Sequence, residues 1–314
     1  MRNDKQQRII VITGPTATGK SALGVLLARK IDGEIVSADS MQVYKYMDIG
    51  TAKPTADEMC GVPHHLIDIL PPSEDYSVAR YVEDASKCID DIFLRKKQPI
   101  LVGGSGLYID SLLAGRTFSA RGDDGLRKKL EDEFEDVGGE AMLNKLREVD
   151  ADSAARLHIN DRKRIIRALE AFLTTGKTIS EHDALTKSLP SRYDAVKVAL
   201  NFSDRTELYA GIDRRVDEMM SRGLEAEVMS LLKMGISQSS TSMQAIGYKE
   251  ISAALVDESD INNAVEKVKM ESRRYAKRQL TWLRRDENAK WITWESLPDL
   301  DRGVREIVVA NEAK

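Results

Sequence analysis

A glycine-rich loop near the N-terminus, set between a strand pattern and a helix pattern, constrains the fold most. The β-branched run at 8–13 predicts a buried strand, and apolar residues at helical spacing within 21–30 predict the helix that follows. The residues between them match G-x-x-x-x-G-K-[ST]. We therefore predict a phosphate-binding loop made of Gly14, Pro15, Thr16, Ala17, Thr18, Gly19, Lys20 and Ser21.

Such a loop holds phosphate oxygens because successive backbone N–H groups converge on them at a helix N-terminus. Lys20 would neutralise phosphate charge, and the Ser21 hydroxyl would hold Mg²⁺. The motif predicts a phosphorylated ligand but leaves open whether it is a diphosphate or a triphosphate, and which reaction follows.

Strand and helix patterns alternate along most of the chain. Further strands are predicted at 34–37, 99–102 and 195–202, and helices at 78–96, 105–113, 207–220, 224–234 and 261–285. This alternation predicts an α/β fold, a P-loop NTPase-like parallel sheet flanked by helices. Residues 118–190 are charged and helix-forming with no strand pattern, so we expect residues 1–117 and 191–314 to form the core around a mainly helical insertion domain at 118–190.

The total charge by itself does not indicate a nucleic-acid partner. The 314 residues include 47 Lys+Arg and 51 Asp+Glu, which gives a net charge of −4. Two cysteines, Cys60 and Cys88, form no C-x-x-C pair and fit a reducing compartment. No apolar run approaches the length needed to cross a bilayer, so we expect a cytoplasmic protein without a membrane partner.

Two further positions offer polar groups next to predicted strand ends. Asp39 follows the strand at 34–37 and could be either a metal ligand or a general base beside the phosphates. Ser105, in Gly103-Gly104-Ser105-Gly106, could contact a ligand or simply cap the next helix. The strand at 99–102 ends in these glycines and not in the aspartate that a P-loop kinase usually places there to hold its metal.

Two helices concentrate basic residues despite the acidic total. At about 100° per residue, six cations of 271–285 share one helix face: Arg273, Arg274, Lys277, Arg278, Arg284 and Arg285. The opposite face includes Tyr275 and Trp282, which we expect to pack in the core. A second cluster comprises Arg162, Lys163, Arg164 and Arg167. Faces this poor in acids favour a polyanion partner.

Taken together, these stretches resemble the tRNA dimethylallyltransferase family, in its bacterial form without an appended Cys/His zinc module. The resemblance spans about 270 residues and is most specific in Asp39-Ser-Met-Gln-Val-Tyr44 and Tyr275-Ala-Lys-Arg-Gln-Leu-Thr-Trp282. It also includes Gly14–Ser21, Met47–Pro54, Pro63–Asp68, Gly103–Tyr108, Asn160–Glu170 and Ala245–Glu250. Ser105 stands where the family more often has threonine.

The resemblance implies transfer of a dimethylallyl group from dimethylallyl diphosphate to the exocyclic amine of the adenine 3′-adjacent to the tRNA anticodon. It implies Asp39 as general base, Lys20 and Arg205 beside the diphosphate, Ser105 near the reacting centre, and Mg²⁺ as cofactor, with Ser21 as its protein ligand. The implied tRNA contacts are Asp39, Ser40, Met41, Gln42, Ser105, Arg127, Lys163, Arg164, Ile165, Ile166, Arg167, Ala245, Ile246, Gly247, Tyr248, Lys249, Glu250, Lys277, Arg278, Gln279, Leu280, Thr281, Trp282, Leu283 and Arg284.

Two alternatives remain open at this point. The first is a P-loop small-molecule kinase, which would phosphorylate a small acceptor with ATP. The second is a non-catalytic RNA-binding NTPase module, in which Asp39 would be dispensable. We expect the protein to act as a monomer.

Overall fold

A computed structural model describes residues 7–116, 124–188 and 191–312. By their internal contacts the residues form two compact units, Met1–Leu113 with Arg192–Lys314, and Ala114–Ser191. The predicted boundary at 117/118, and residue 190 at the other end of the predicted insertion, lie outside the described residues. No helix in the described ranges is both long and apolar enough to cross a membrane.

The larger unit is built on a parallel sheet. Its six described strands lie in the order β3-β2-β4-β1-β5-β6. The bounds are β1 Arg8–Thr13, β2 Gly33–Ser37, β3 His64–His65, β4 Gln98–Val102, β5 Asp194–Phe202 and β6 Lys290–Trp294. Every pairing is parallel, and β1 and β4 are almost entirely buried because helices cover both faces of the sheet. This confirms the predicted fold class.

Helices connect these strands in the alternating pattern that the sequence predicts. In the larger unit they are α1 Lys20–Ile31, α2 Ala56–Met59, α3 Val78–Leu94, α4 Gly106–Leu113, α9 Arg205–Ser221, α10 Leu224–Lys233, α11 Tyr248–Val256, α12 Ile261–Leu283 and α13 Leu300–Glu312; in the smaller unit they are α5 Asp124–Val149, α6 Ala151–Ala155, α7 Arg162–Thr175 and α8 Ile179–Ser188. The described elements of the smaller unit are all helical, and a backbone break at Gly138 (φ 80°) divides α5 into two segments.

Two strands and the C-terminal helix are among the elements that were not predicted. His64–His65 adds a short strand beside β2. At the other edge β6 pairs with β5, and α13 packs on α1 through Gly303, which lies against Leu23. The sequence of β6, Lys-Trp-Ile-Thr-Trp, is short and follows a charged segment, so it lacks the strong apolar run that marks the central strands.

The strand order determines which chain segments meet at the carboxyl edge of the sheet. Strand β4 lies between β1 and β2, so the P-loop and Asp39 do not follow neighbouring strands. The chain segments that follow β1, β2 and β4 nevertheless meet at one edge of the sheet, because parallel strands all end there. The Gly103-Gly104 turn fits between the other two segments. A Cβ at Gly103 would lie 2.2 Å from the Ala38 carbonyl oxygen, so only glycine permits this approach.

Candidate active site

A cavity of about 780 Å³ opens at the carboxyl ends of β1, β2 and β4, in the larger unit. Residues 16–22 of the P-loop and α1, residues 39–42 after β2, and Gly103-Gly104 after β4 line it. Helices α9 and α12 add Arg215, Tyr275 and Gln279 from much later in the chain. The cavity lies where ligands bind in parallel α/β sheets.

The P-loop has the geometry of a phosphate cradle. The backbone is left-handed at Ala17 (φ 64°) and at Gly19 (φ 80°). This conformation leads the chain from the loop into the first turn of α1, which begins at Lys20. The Lys20 ammonium donates to the Pro15 carbonyl at 2.6 Å, and the Thr18 hydroxyl donates to the same oxygen at 2.8 Å. Residues 16–21 line the cavity, whereas Gly14 and Pro15 shape the turn behind it.

Lys20 is electrostatically poised for an anion. Burial, and next the nearby Arg215 guanidinium, lower the pKa of Lys20 to about 7, while the Asp39 carboxylate acts in the opposite direction. A lysine with such a pKa gains a proton readily when an anion arrives, because the anion favours the charged form. The cavity therefore concentrates positive charge at the P-loop, where the motif predicted it.

Arg215, unlike Arg205, lines the cavity. Arg205 is the first residue of α9, is exposed, and is absent from the cavity lining. Arg215 lies ten residues further along α9, lines the cavity, and has a buried Nε without a hydrogen-bond partner in the described chain. Burial lowers its pKa, and Asp39 partly offsets that effect. The geometry therefore favours Arg215 over Arg205 as the arginine that a diphosphate in this cavity would meet.

Asp39 faces these two cations from the end of β2. Its Oδ1 accepts the Met41 N–H at 2.8 Å and the Gln42 N–H at 3.4 Å, which fixes the carboxylate in a tight turn. Asp39 is only half-buried and lines the cavity, so the carboxylate is accessible to a ligand. Gln42 also lines the cavity, and its side-chain amide is held by Ser37 and by the carbonyls of Thr51 and Ala52.

Ser105 acts on this turn from outside the cavity lining. Its Oγ accepts the Ser40 N–H at 3.1 Å, across from β4 to the segment after β2. The hydroxyl also interacts with Tyr275, a residue that we predicted to be simple core packing. Burial, with a further contribution from Asp39, raises the pKa of Tyr275 to about 12. The i, i+4 spacing of Tyr275 and Gln279 was the available sequence signal that both side chains share one face of α12.

The outer face of α12 partly matches the predicted basic surface. Lys277, Arg278, Arg284 and Arg285 are exposed, although α12 ends at Leu283 so that the last two lie just beyond it, and Thr281 is exposed beside them. Two of the six cations are ion-paired: the half-buried Arg273 with Asp213, and Arg274, which is also exposed, with Glu271.

Four predicted RNA contacts on α12 belong to its inner side. Gln279, Leu280 and Leu283 are 6%, 7% and 1% exposed, so they are buried in the larger unit and are not available to RNA on the outer face. The half-buried Trp282 packs against Gly106 and donates its indole N–H to Asp110 at 2.6 Å. The predicted contacts formed the continuous run 277–284, and a continuous run on a helix includes residues from both its exposed and its buried face.

Residues 245–250 also include both buried side chains and side chains that are exposed or line the cavity. Tyr248 is fully buried, with its hydroxyl donating to Glu227, and Glu250 is buried where it accepts the Gly247 N–H at 2.8 Å. These two side chains and the Gly247 backbone are buried, so they are not exposed to an RNA at the surface. Ala245 and Ile246 line the cavity, and Lys249 is exposed.

The smaller unit presents its own exposed cations. Lys163, Arg164 and Arg167 are exposed on α7, whereas Ile165 and Ile166 are 0% and 2% exposed and form its core, so these two isoleucines are not surface contacts. Arg127 is exposed on α5 and lies 3.6 Å from Glu131.

A P-loop in which Lys20 and Arg215 face the Asp39 carboxylate in one cavity defines a class of protein: one that binds a phosphorylated ligand next to a carboxylate. Comparison with known proteins is more specific. The IPP transferase family model matches residues 42–286, and the isopentenyl transferase model matches residues 7–73. The chain belongs to the IPP transferase family.

Relatives in this family cover nearly the whole chain. It is 49% identical over 287 residues to the tRNA dimethylallyltransferase of Caldanaerobacter subterraneus, covering 91% of each chain. The tRNA dimethylallyltransferase of Acetivibrio thermocellus is 48% identical over 285 residues, 90% of this chain and 91% of that protein.

Solved structures show the same fold. The tRNA isopentenylpyrophosphate transferase of Bacillus halodurans has a TM-score of 0.72 at 41% identity, over 98% of this chain and 96% of that one. A eukaryotic dimethylallyltransferase that acts on tRNA has a TM-score of 0.81 at 31% identity, over 98% of this chain and 79% of that one.

Proposed function

We propose that this protein transfers a dimethylallyl group from dimethylallyl diphosphate to the exocyclic amine of the adenine 3′-adjacent to the anticodon in tRNA, and releases diphosphate. The observation that carries the proposal is the opposition of Lys20 and Arg215 to Asp39 around one cavity in a member of the IPP transferase family. The names of the relatives support tRNA as substrate.

The two sides of the cavity suit the two halves of this reaction. The N–H groups of the P-loop, Lys20 and Arg215 would stabilise the negative charge of the diphosphate as its carbon–oxygen bond breaks. The adenine amine then forms the carbon–nitrogen bond, and Asp39 accepts the proton that this nitrogen loses. Apolar side chains line the same cavity and suit a short hydrocarbon, among them Val25, Ile35 and Val102.

We also propose Mg²⁺ as cofactor. In the described ranges no cluster of three or more His, Cys, Asp or Glu side chains could hold a metal by itself. Mg²⁺ usually needs fewer protein ligands, because it binds one or two carboxylates together with substrate phosphates and water. The exposed Ser21 hydroxyl and the Asp39 carboxylate both line the cavity and fit that role. When bound with the diphosphate, Mg²⁺ would neutralise the charge of the leaving group.

The RNA must present its adenine to this cavity. A stacked base cannot reach a cavity at the end of a sheet, so the target nucleotide must be extruded from the anticodon loop. Phosphates of the loop would contact exposed cations such as Lys277 and Arg278, while Gln42 and Ile246 at the cavity would lie close to the base. We place this activity in the cytoplasm and in a monomer; the two cysteines, Cys60 and Cys88, are both free.

A direct assay separates this function from the kinase alternative. Purified protein is incubated with Mg²⁺, unmodified tRNA and either dimethylallyl diphosphate or ATP with a small acceptor, and nucleosides are then analysed by mass spectrometry. We expect prenylated adenosine and free pyrophosphate with the prenyl donor only. Phosphorylation of the acceptor by ATP, without prenylated adenosine, would establish the kinase instead.

A further inference from the structure

Gln279 connects the helix that carries exposed cations to the phosphate cradle. It lies on the inner side of α12, and only 6% of the residue is exposed. Its Oε1 accepts the Thr16 N–H of the P-loop at 3.2 Å, and its Nε2 donates to the Gly104 carbonyl at 3.0 Å. One side-chain amide therefore bridges the segment after β1 and the segment after β4.

The surroundings of Gln279 are shaped for this bridge. A Cβ at Gly104 would lie 2.2 Å from the Gln279 Nε2, so only glycine leaves room for the amide. One helical turn earlier, Tyr275 interacts with both Gln279 and Ser105, and Ser105 holds the turn of Asp39 through Ser40. An amide group is needed because the same side chain must donate to a carbonyl and accept from an N–H.

The bridge also determines what the cradle offers a ligand. Thr16 is the third residue of the P-loop, and its N–H is one of the backbone donors that such a loop aims at phosphate. In this chain that donor is already bonded to Gln279. The side chain thus fixes the direction of the peptide group between Pro15 and Thr16, and with it the carbonyl that receives the Lys20 ammonium.

We propose that Gln279 is a positioning residue for the diphosphate cradle, holding the P-loop at Thr16 and the glycine turn at Gly104 in the shape that binds diphosphate, and is not an RNA contact. This inference rests on the proposed function for the identity of the ligand. It predicts that the amide governs affinity for diphosphate and leaves affinity for RNA unchanged.

Two variants and a matched control test the proposal. Gln279→Met keeps the approximate volume and loses both hydrogen bonds, whereas Gln279→Glu keeps the acceptor for Thr16 and places a second oxygen against the Gly104 carbonyl. The control is Gln98→Met at the opposite end of β4, where Gln98 Nε2 donates to the carbonyls of Arg8 and Pro99. It removes a bridging amide from the same sheet, far from the cavity.

Inorganic pyrophosphate binding is measured by calorimetry, tRNA binding by filter retention, and folding by the melting temperature. For Gln279→Met we expect pyrophosphate affinity to fall about 10-fold, the effect of one or two lost hydrogen bonds, with tRNA affinity unchanged. For Gln279→Glu we expect a larger loss near neutral pH. This loss should shrink, relative to wild type at the same pH, as acid protonates the introduced carboxyl group and restores a donor and an acceptor together. The control should resemble wild type in both affinities.

Three outcomes would overturn the proposal: unchanged pyrophosphate affinity in both variants, a loss confined to tRNA affinity, or a loss in Gln279→Glu that acid does not reduce relative to wild type. If Gln279→Met fails to fold, the acid dependence of Gln279→Glu still decides. Because pyrophosphate binding needs no turnover, wild-type protein that binds pyrophosphate but never prenylates tRNA would refute the proposed function alone.

Discussion

Lys20 makes diphosphate binding depend on pH in a direction that the structure fixes. Burial and Arg215 lower the pKa of the unliganded Lys20 to about 7. A bound diphosphate favours the ammonium and raises that pKa, so above pH 7 binding must be accompanied by proton uptake. Affinity is therefore greatest where Lys20 is already charged, and it falls as the pH rises through and beyond the pKa of the unliganded protein.

The size of the pH effect follows from the fraction of protein molecules in which Lys20 is charged. With a pKa of about 7, half of the Lys20 side chains are charged at pH 7 and about one in a hundred at pH 9, which predicts a roughly 50-fold loss of affinity across that range. A terminal phosphate loses its last proton near pH 6, so the charge of an alkyl diphosphate changes little over the same interval.

Calorimetry with a non-reactive alkyl diphosphate, in buffers that differ in ionisation enthalpy, measures both the affinity and the protons taken up. Lys20→Arg is the control, because a guanidinium stays charged throughout and should remove the dependence. Equal affinity of wild-type protein at about pH 7 and pH 9, without proton uptake, would refute the assignment of a low pKa to Lys20 in the empty cavity.

Three further predictions concern separate parts of the molecule. Asp39→Asn should lower the rate of prenyl transfer in single-turnover assays by about 10²-fold or more, the usual range for a general base, with tRNA affinity unchanged; a comparable loss of tRNA or Mg²⁺ binding would indicate a ligand role instead. Lys277→Ala and Arg278→Ala should each make the salt dependence of tRNA affinity shallower by about one unit of slope in a log–log plot, and unchanged slopes would mean that neither cation contacts RNA phosphate. Trp294→Phe removes the indole N–H that donates to the Thr18 carbonyl at 3.1 Å and should destabilise the protein by about 1–3 kcal/mol in urea unfolding; an unchanged midpoint would show that this bond contributes nothing.

The parts of the structure that could be predicted are those in which sequence neighbours are also spatial neighbours. The strand, the P-loop and α1 form one continuous segment, so local periodicity and the glycine pattern were sufficient. Asp39 was found for the same reason, since it directly follows a predicted strand. Its distance from the P-loop was not predictable, because β4 lies between the two strands and the cavity depends on the meeting of all three strand ends.

The residues that were missed come from distant helices. Arg215 lies on α9, which contacts β5 and α12, so its place in the cavity depends on elements that are distant from the P-loop in sequence. Arg205 was chosen in its place by local similarity, which carries no information about which side of a helix faces the cavity. Tyr275 and Gln279 were assigned to packing and to RNA for the same reason.

The basic surface on α12 shows a related limit of helical projection. The angular positions separated the exposed cations from the buried side chains correctly for most of the helix. A projection of one helix contains no information about acidic residues on other helices, so it could not predict the ion pair of Arg273 with Asp213 on α9. The net charge of −4 did not indicate the basic surface, since it is a sum over surfaces of both signs.

Prenylation of tRNA at this cavity, with Asp39 as the proton acceptor, can be tested with tRNA from cells. Nucleosides from a strain that lacks this protein are compared, by mass spectrometry, after complementation with wild-type protein or with Asp39→Asn at matched expression. We expect dimethylallyl-adenosine, or products derived from it, to be absent in the deletion strain, restored by wild type, and not restored by Asp39→Asn. Persistence of the prenylated nucleoside in the deletion strain, or full restoration by Asp39→Asn, would contradict this expectation.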